Sequence, residues 1–371
     1  MKSNAAILWK VNTAWSVEET ELDEPREGEV RVRLAASGLC HSDDHIVKGD
    51  LPVGLPIIGG HEGSGIVEAV GPGVRRLREG DHVVMAFIPA CGHCRWCSSG
   101  LSMLCDYGSL TMEGLPIADQ VPRLRARGEG LRAVSMLGTF ATDAVVHEDS
   151  CVKIDDDLPL EVAALVGCGV TTGYGAAVKQ AKVEPGDVVV VVGTGGVGSS
   201  AVQGARIAGA EVIVAVDPFE YRREQAKLLF GATHAVASME DAIPLVSDIT
   251  KGVMADKTIM AASLMTGDLL MPLMTLTRKG GRVCLTSTAN PNMGNAGPVL
   301  LDVIFGQKEI VGNVLGGCNL HADIPKILSL YRSGLLKLDE LVTKTYALEQ
   351  VNEGYDDLLN GRIMRGLLTF A

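Results

Sequence analysis

The chain is expected to be an α/β protein of two domains, a small β-barrel followed by a doubly wound parallel sheet. Three observations carry this expectation. Its 371 residues exceed the size at which a single hydrophobic core keeps growing. Up to Ile154 the chain reads as short strands broken by turns. From Ala163 onward, apolar strands alternate with helical segments, the pattern of a parallel sheet covered on both faces.

Glu29-Val30-Arg31-Val32-Arg33-Leu34 alternates polar and apolar residues, which predicts a half-buried strand. Gly71-Pro72-Gly73 and Glu79-Gly80-Asp81 read as turns, and Asp81 to Met85 as another strand. Val188 to Val192 is apolar throughout, as a parallel strand between two helical layers should be. Further strands are expected at 211–216, 234–237, 256–260, 281–286 and 309–314, with helices such as Glu220 to Phe230 and Thr266 to Leu276 between them. The tail from Leu315 is mixed, with a helix near 323–333, and reads as chain returning to the first domain.

Composition narrows the function classes. At 47% hydrophobic and 21% charged the chain is an ordinary globular protein. A net charge of -12 argues against nucleic acid, whose phosphates need clustered Lys and Arg. No apolar run approaches the roughly 18 residues of a membrane-spanning helix, so no membrane partner is expected. Met1 to Lys10 holds too short an apolar stretch for a signal peptide. Nine cysteines without such a signal fit a reducing cytoplasm, some on metals and the rest buried.

Cys91, Cys94, Cys97 and Cys105 follow C-x2-C-x2-C-x7-C. Four thiolates from one loop close a tetrahedral shell around Zn²⁺ and leave no position for substrate, so a structural site is expected. A ferredoxin-type cluster would place the fourth cysteine three residues on, before proline, whereas Cys105 lies eight positions past Cys97 and precedes Asp106. Cys40, His61 and Cys168 each lie beside glycine or in a loop. Two thiolates and one neutral imidazole would balance Zn²⁺ and leave the fourth position that catalysis needs. Spacing alone does not join residues so far apart, and a lone cysteine is more often a small buried hydrophobe. Cys151, Cys284 and Cys318 take that second reading.

Gly193-Thr194-Gly195-Gly196-Val197-Gly198 follows the valine strand and opens a helical pattern over Ser199 to Ala208. The first glycine permits a tight turn, the second lets backbone approach a pyrophosphate, and the third lets helix pack on strand. The helix N-terminus offers N–H groups and a positive dipole end to the phosphates. The next strand ends at Asp217, nineteen residues past Gly198, where a carboxylate accepts ribose hydroxyls and repels a 2′-phosphate. NAD is therefore expected rather than NADP, although Arg222 could also reach a ribose or a phosphate.

Gly60-His61-Glu62-Gly63-Ser64-Gly65 through Gly71 to Val74 matches G-H-E-x2-G-x5-G-x2-V at every fixed position. Gly38-Leu39-Cys40-His41-Ser42-Asp43-Asp44-His45, the four-cysteine loop, Gly167 to Gly175 and the nucleotide motif stand in the matching order. In these motifs the chain resembles the zinc-dependent medium-chain alcohol dehydrogenases over nearly its whole length, to Asn352-Glu353-Gly354-Tyr355. The resemblance implies a GroES-like β-barrel catalytic domain with both zinc sites over 1–169, a Rossmann NAD-binding domain over 170–313, and a return to the catalytic domain over 314–371. It makes Cys40, His61 and Cys168 ligands of a catalytic zinc, Glu62 an acid that approaches the metal, and Asp43 the carboxylate that holds the histidine ligand. Ser42 and His45 match a relay that carries the alcohol proton outward. His41, Thr172 and Arg365 join Gly193, Gly195, Gly196, Val197, Gly198, Asp217 and Arg222 among the implied cofactor contacts. His41 stands where the family often has arginine, and Ser287 where many relatives have glycine.

Phe87 to Cys97, the long segment Gly108 to Met136 and Asp217-Pro218 look closest to the bacterial subgroup named for its dependence on a nitrosoaniline dye (NDMA). That likeness implies NAD(H) that stays bound and is recycled in place by a second substrate. The implied activity is oxidation of small alcohols to aldehydes or ketones, and the reverse, in a homo-oligomer. Alternatives are a thiol-adduct formaldehyde or polyol dehydrogenase with dissociable NAD, a quinone or enoyl reductase without zinc, and a non-catalytic relative. The last would lack a ligand or the relay, and here all of those residues are present.

Overall fold

The computed structural model describes residues 1–289 and 300–370, so 290–299 of the expected second domain lies outside the described residues. The chain divides into two compact units, Met1–Cys168 with Asn319–Arg332 and Leu341–Ala371, and Gly169–Cys318 with Ser333–Glu340.

The first unit begins with β1 (Lys2–Leu8), β2 (Ser16–Leu22), β3 (Glu29–Gly38), α1 (His41–Lys48), β4 (Ile57–Ile58), β5 (Gly63–Val70) and β6 (His82–Met85). Then come the single turn α2 (Arg95–Ser98), β7 (Leu124–Ala126), β8 (Glu129–Ala133), β9 (Asp143–His147), β10 (Cys151–Lys153) and α3 (Leu160–Ala163). Strands β1, β2, β7, β8 and β4 close a barrel. Two of its five strands come from the segment after Cys105, where no strand is evident in the sequence. Leu124-Arg125-Ala126 and Glu129 to Ala133 are too short for an alternation to register, and their pairing with each other and with β2 and β4 defines them.

The second unit holds α4 (Gly169–Gly175), β11 (Val188–Val192), α5 (Gly196–Ala208), β12 (Val212–Val216), α6 (Glu220–Gln225), β13 (His234–Val236) and α7 (Met239–Ile249). It continues with β14 (Ala255–Met260), α8 (Leu270–Leu276), β15 (Thr277–Leu285), α9 (Leu300–Gly306) and β16 (Glu309–Gly312). The sheet order is β13-β12-β11-β14-β15-β16, and every pair is parallel. Order reverses at β11 and β14, so the glycine motif after β11 sits at the switch point where such sheets bind ligands. The helix after it starts at Gly196 rather than Ser199, because glycines of low helix propensity hide its first turn.

The chain ends with α10 (Leu320–Arg332), β17 (Val342–Tyr346), α11 (Val351–Leu359) and β18 (Arg365–Thr369). β18 pairs antiparallel with β3, placing Leu367 opposite Gly38. The seven strands of this second sheet are β10, β6, β5, β3, β18 and β17 in sequence, with β9 also on β3. On α11, Val351, Gly354, Tyr355 and Leu358 are buried at the i, i+3, i+4, i+7 spacing of one helical face. The sequence reading takes 314–371 as one returning piece, but Ser333–Glu340 groups with the second unit. There the buried amide of Gln203 on α5 donates to Lys337 O at 3.0 Å and accepts Lys337 N–H at 2.7 Å, and Arg206 donates to Leu335 O at 2.6 Å. Among the described residues, no single helix is long and apolar enough to cross a membrane.

Candidate active site

Cys40 is the residue on which β3 turns into α1. Its Sγ lies 3.6 Å from Ser42 Oγ, so helix geometry places the hydroxyl beside the thiol. Asp43, fully buried one residue on, accepts the Gly60 N–H at 2.9 Å and stands 3.2 Å from His61 Nδ1. With Nδ1 turned to Asp43, the other ring nitrogen is the one His61 has to offer. His45, one turn further, holds Asp50 Oδ2 at 2.9 Å through Nδ1.

His61 and Glu62 follow Gly59 and Gly60, the second of which has φ +85°, a conformation that favours glycine. A Cβ on Gly60 would also run into the Phe140 ring and Thr139 Oγ1. Cys168 is delivered from the other side, by the helical turn Ala164–Gly167. The structure thus brings Cys40, His61, Glu62 and Cys168 together, all buried, with one ligand atom of each within 4.8 Å of the others.

The charges in this cluster explain one another. The proton shared between the thiols drives them apart: a hydrogen bond from Cys168 holds Cys40 well below the usual thiol range, and the same bond with burial holds Cys168 well above it. Burial opposes a charge on His61, but the Asp43 carboxylate and Cys40 outweigh it and raise the imidazole. Burial pushes Glu62 up to about 7 against the pull of Arg365, whose guanidinium donates to Glu62 Oε2. Two thiols, an imidazole and a carboxylate facing one another away from water form a donor set that a divalent, thiophilic cation satisfies, and Zn²⁺ fits it. Glu62 is engaged by Arg365, while the side chains of Cys40, His61 and Cys168 face the same point and could hold such an ion.

The four-cysteine loop passes the same test. Cys91 Sγ to Cys97 Sγ and Cys94 Sγ to Cys105 Sγ are both 3.9 Å, close to the ~3.8 Å edge of a tetrahedron with Zn–S bonds of about 2.3 Å. Backbone N–H groups of Cys94 and Cys97 donate to Cys91 Sγ and Cys94 Sγ at 3.3 and 3.5 Å, and the Cys97 amide heads the causes that bring the Cys94 thiol down to about 6.

In the second unit, Gly193 has φ +84°, and a Cβ on Gly198 would meet the Gly193 carbonyl, so the turn and the close helix packing both require glycine. Asp217 accepts the N–H groups of Thr194 at 2.8 Å and Phe219 at 3.0 Å, which locks its carboxylate beside the glycine turn. Arg222 is buried with its guanidinium 4.9 Å from the Phe219 ring centre. Buried hydroxyls of Thr172, Thr194 and Ser287 find no hydrogen-bond partner among the described residues, as expected where a polar nucleotide seats. His41 lies on the first turn of α1, half-buried.

A cavity of about 170 Å³ opens beside the metal cluster, with Ser42, His61 and Cys168 on one wall. Ile46, Leu51, Val53, Ile57, Phe87 and Val134 make most of the rest, with Thr111, Met112 and Ser135 from the long segment after Cys105. Phe87 meets His61 edge to face at 6.0 Å. Sequence reasoning missed Asp50, Phe87 and Tyr355, whose hydroxyl donates to the Cys40 carbonyl at 3.2 Å. Asp50 stands in no motif, and the segments that hold Phe87 and Tyr355 carry only the family likeness, because each of the three reaches the site through tertiary packing.

Comparison with known proteins agrees with this architecture. The model of the alcohol dehydrogenase GroES-like domain matches residues 26–156, and that of the zinc-binding dehydrogenase domain matches 196–333. Alcohol dehydrogenase B of Mycobacterium tuberculosis is 47% identical over 372 residues, covering 100% of this chain and 99% of the relative. The NDMA-dependent alcohol dehydrogenase of Amycolatopsis methanolica is 46% identical over 371 residues, covering 99% of each. The crystal structure of benzyl alcohol dehydrogenase from Acinetobacter calcoaceticus superposes with a TM-score of 0.92 at 30% identity, over 100% of both chains. With identity of this extent across both units, the chain belongs to the zinc-binding, GroES-like alcohol dehydrogenase family of oxidoreductases.

Proposed function

We propose that this protein oxidises small-molecule alcohols to aldehydes or ketones, and catalyses the reverse, at the Cys40, His61 and Cys168 centre with NAD as hydride acceptor. The observation that carries the reading is the buried convergence of two thiols, an imidazole and a carboxylate within 4.8 Å. When bound, Zn²⁺ supplies Lewis acidity that lowers the pKa of an alcohol, and NAD supplies the hydride acceptor. The rest falls to this chain's own side chains. Ser42, on the cavity wall and 3.6 Å from Cys40 Sγ, takes the alcohol proton. His45 passes it outward, its ring oriented by Asp50. Asp43 holds His61 in place. Gly193 to Gly198, Asp217, Arg222 and Thr172 are the residues that would hold the nucleotide, with His41 and Arg365 as the pyrophosphate contacts. The four-cysteine loop would hold a second, structural zinc.

The hydrocarbon lining of the cavity supports an alcohol on an apolar body and speaks against a polyol. The 46% identity to the NDMA-dependent relative supports a nucleotide that stays bound and is recycled in place. Leu300, Leu301, Ile304 and Phe305 on α9 are 66 to 78% exposed near the edge strand β16, which supports a homo-oligomer. A cytoplasmic location completes the reading.

Zinc and nucleotide analysis of the purified protein, followed by an alcohol panel with and without an artificial electron acceptor, tests it. The expected result is two zinc ions per chain, NAD(H) released on denaturation, and turnover sustained by the acceptor alone. Alcohol turnover by zinc-free protein would overturn the site. Nucleotide-free protein that works on added NAD would overturn only the retained cofactor.

A further inference from the structure

We infer that Tyr355 is a positioning residue for the catalytic metal ligands: its hydroxyl fixes the Cys40 turn, while its ring, with Trp15 and Phe140, braces the turn that carries His61. The inference rests on the reading of Cys40, His61 and Cys168 as ligands.

Tyr355 is buried on α11, 315 residues along the chain from Cys40, and its hydroxyl donates to the Cys40 carbonyl at 3.2 Å. That carbonyl also accepts the Asp43 N–H at 3.2 Å. Cys40 starts α1 without a side-chain cap, and its own side chain is committed to the cluster. The phenol therefore supplies an orienting contact to the one backbone group that links ligand Cys40 to Asp43, the residue that holds ligand His61.

The ring does a second job. Tyr355 stacks on Trp15 at 6.5 Å and meets Phe140 at 6.2 Å, while Trp15 and Phe140 meet edge to face at 5.8 Å, closing a triangle. Gly59 and Gly60, which lead into His61, press on that triangle: a Cβ on Gly59 would stand 2.5 Å from the Phe140 ring and 2.8 Å from Trp15. Phe140 N–H donates to Gly59 O at 2.9 Å, and Thr139 N–H to Gly60 O at 3.0 Å, so the turn cannot slide along the rings. One helical turn before Tyr355, the Asn352 amide clamps Trp15 by accepting its N–H and donating to its carbonyl, both at 3.0 Å. One helix of the C-terminal return thus holds the backbone of two ligands. A residue needed only for packing would not require the hydroxyl, since Phe fills the same volume.

The test compares Tyr355→Phe, Tyr355→Leu and, as a packing control, Leu348→Ala in the same core cluster. Each holoenzyme is mixed with a chromogenic chelator well below its Tm, and the release of the two zinc ions is timed. The d–d spectrum of Co²⁺-exchanged protein is recorded alongside. Loss of such an outer contact typically weakens a metal site about 10- to 100-fold. Tyr355→Phe is therefore expected to release one zinc about 10- to 100-fold faster, the other at the wild-type rate, with a shifted Co²⁺ spectrum and a nearly unchanged Tm. Leu348→Ala is expected to lower Tm without that selective release. Tyr355→Leu should add to the defect, and if it fails to fold, the Phe variant decides alone. Wild-type release kinetics and spectrum in Tyr355→Phe, or equal acceleration of both ions, would overturn the inference. Wild-type protein with zinc only on the four-cysteine loop would instead sink the ligand reading, and this inference with it.

Discussion

Asp43 Oδ2 lies 3.2 Å from His61 Nδ1, with both side chains closed off from solvent, while Asp43 Oδ1 accepts the Gly60 N–H. One carboxylate thereby fixes both the ring and the turn that carries it. Asp43→Ala should lower zinc retention at this site by about 10- to 100-fold, as loss of a carboxylate behind a histidine ligand does elsewhere. Competitive chelator titration reads this directly, and unaltered affinity would count against the ligand role of His61.

His45 is expected to act on the proton and not on the metal. His45→Gln should reduce turnover by about 100-fold with both zinc ions kept, and added imidazole should restore part of it. Asp50→Asn, which leaves the ring but removes the charge of its 2.9 Å partner, should have a smaller effect. Loss of zinc from His45→Gln would show a structural role instead.

The apolar cavity makes a prediction about size. Leu51→Ala should shift the ratio of kcat/KM for bulky over small alcohols by about tenfold or more, the scale at which hydrocarbon pockets discriminate. An unchanged ratio across the panel would place the substrate elsewhere.

Two ion pairs set stability apart from catalysis. Arg123 donates to both oxygens of Glu29 at 2.7 and 2.8 Å, with both side chains 2% exposed. Arg123→Met strands a buried carboxylate and should cost about 3–5 kcal/mol in denaturant unfolding. A loss within the error of that measurement would show that Glu29 finds another partner.

Asp357 on α11 is held well below the usual carboxylate range by Lys344 first, then Tyr346 and Arg362. A depressed folded pKa stabilises above the unfolded value near 4, and that stability is lost as pH falls through the folded pKa. The gap in stability between wild type and Asp357→Asn should therefore be flat from pH 5 to 8 and close in acid. A gap that widened in acid would reverse the sign of this linkage.

How far the sequence reached depended on the range of the contact. The four cysteines and Gly193 to Gly198 are local patterns, so spacing alone shows their chemistry. Cys40, His61 and Cys168 span 128 residues and meet only through β3, the turn before β5 and the turn after α3. Only the family resemblance connected them. Asp50 stands in no motif, Phe87 and Tyr355 stand in segments that carry only the family likeness, and β7 and β8 are too short to register in sequence before they pair with each other and with the barrel. Ser333–Glu340 groups with the second unit, where Gln203 and Arg206 of α5 bond its backbone, which no composition shift announces.

The most direct test of the central claim is the zinc content of wild-type protein and of Cys168→Ser, measured with turnover and circular dichroism on the same samples. The account predicts two zinc ions falling to one, turnover lost and the fold unchanged. Two retained ions with full turnover in Cys168→Ser would contradict it.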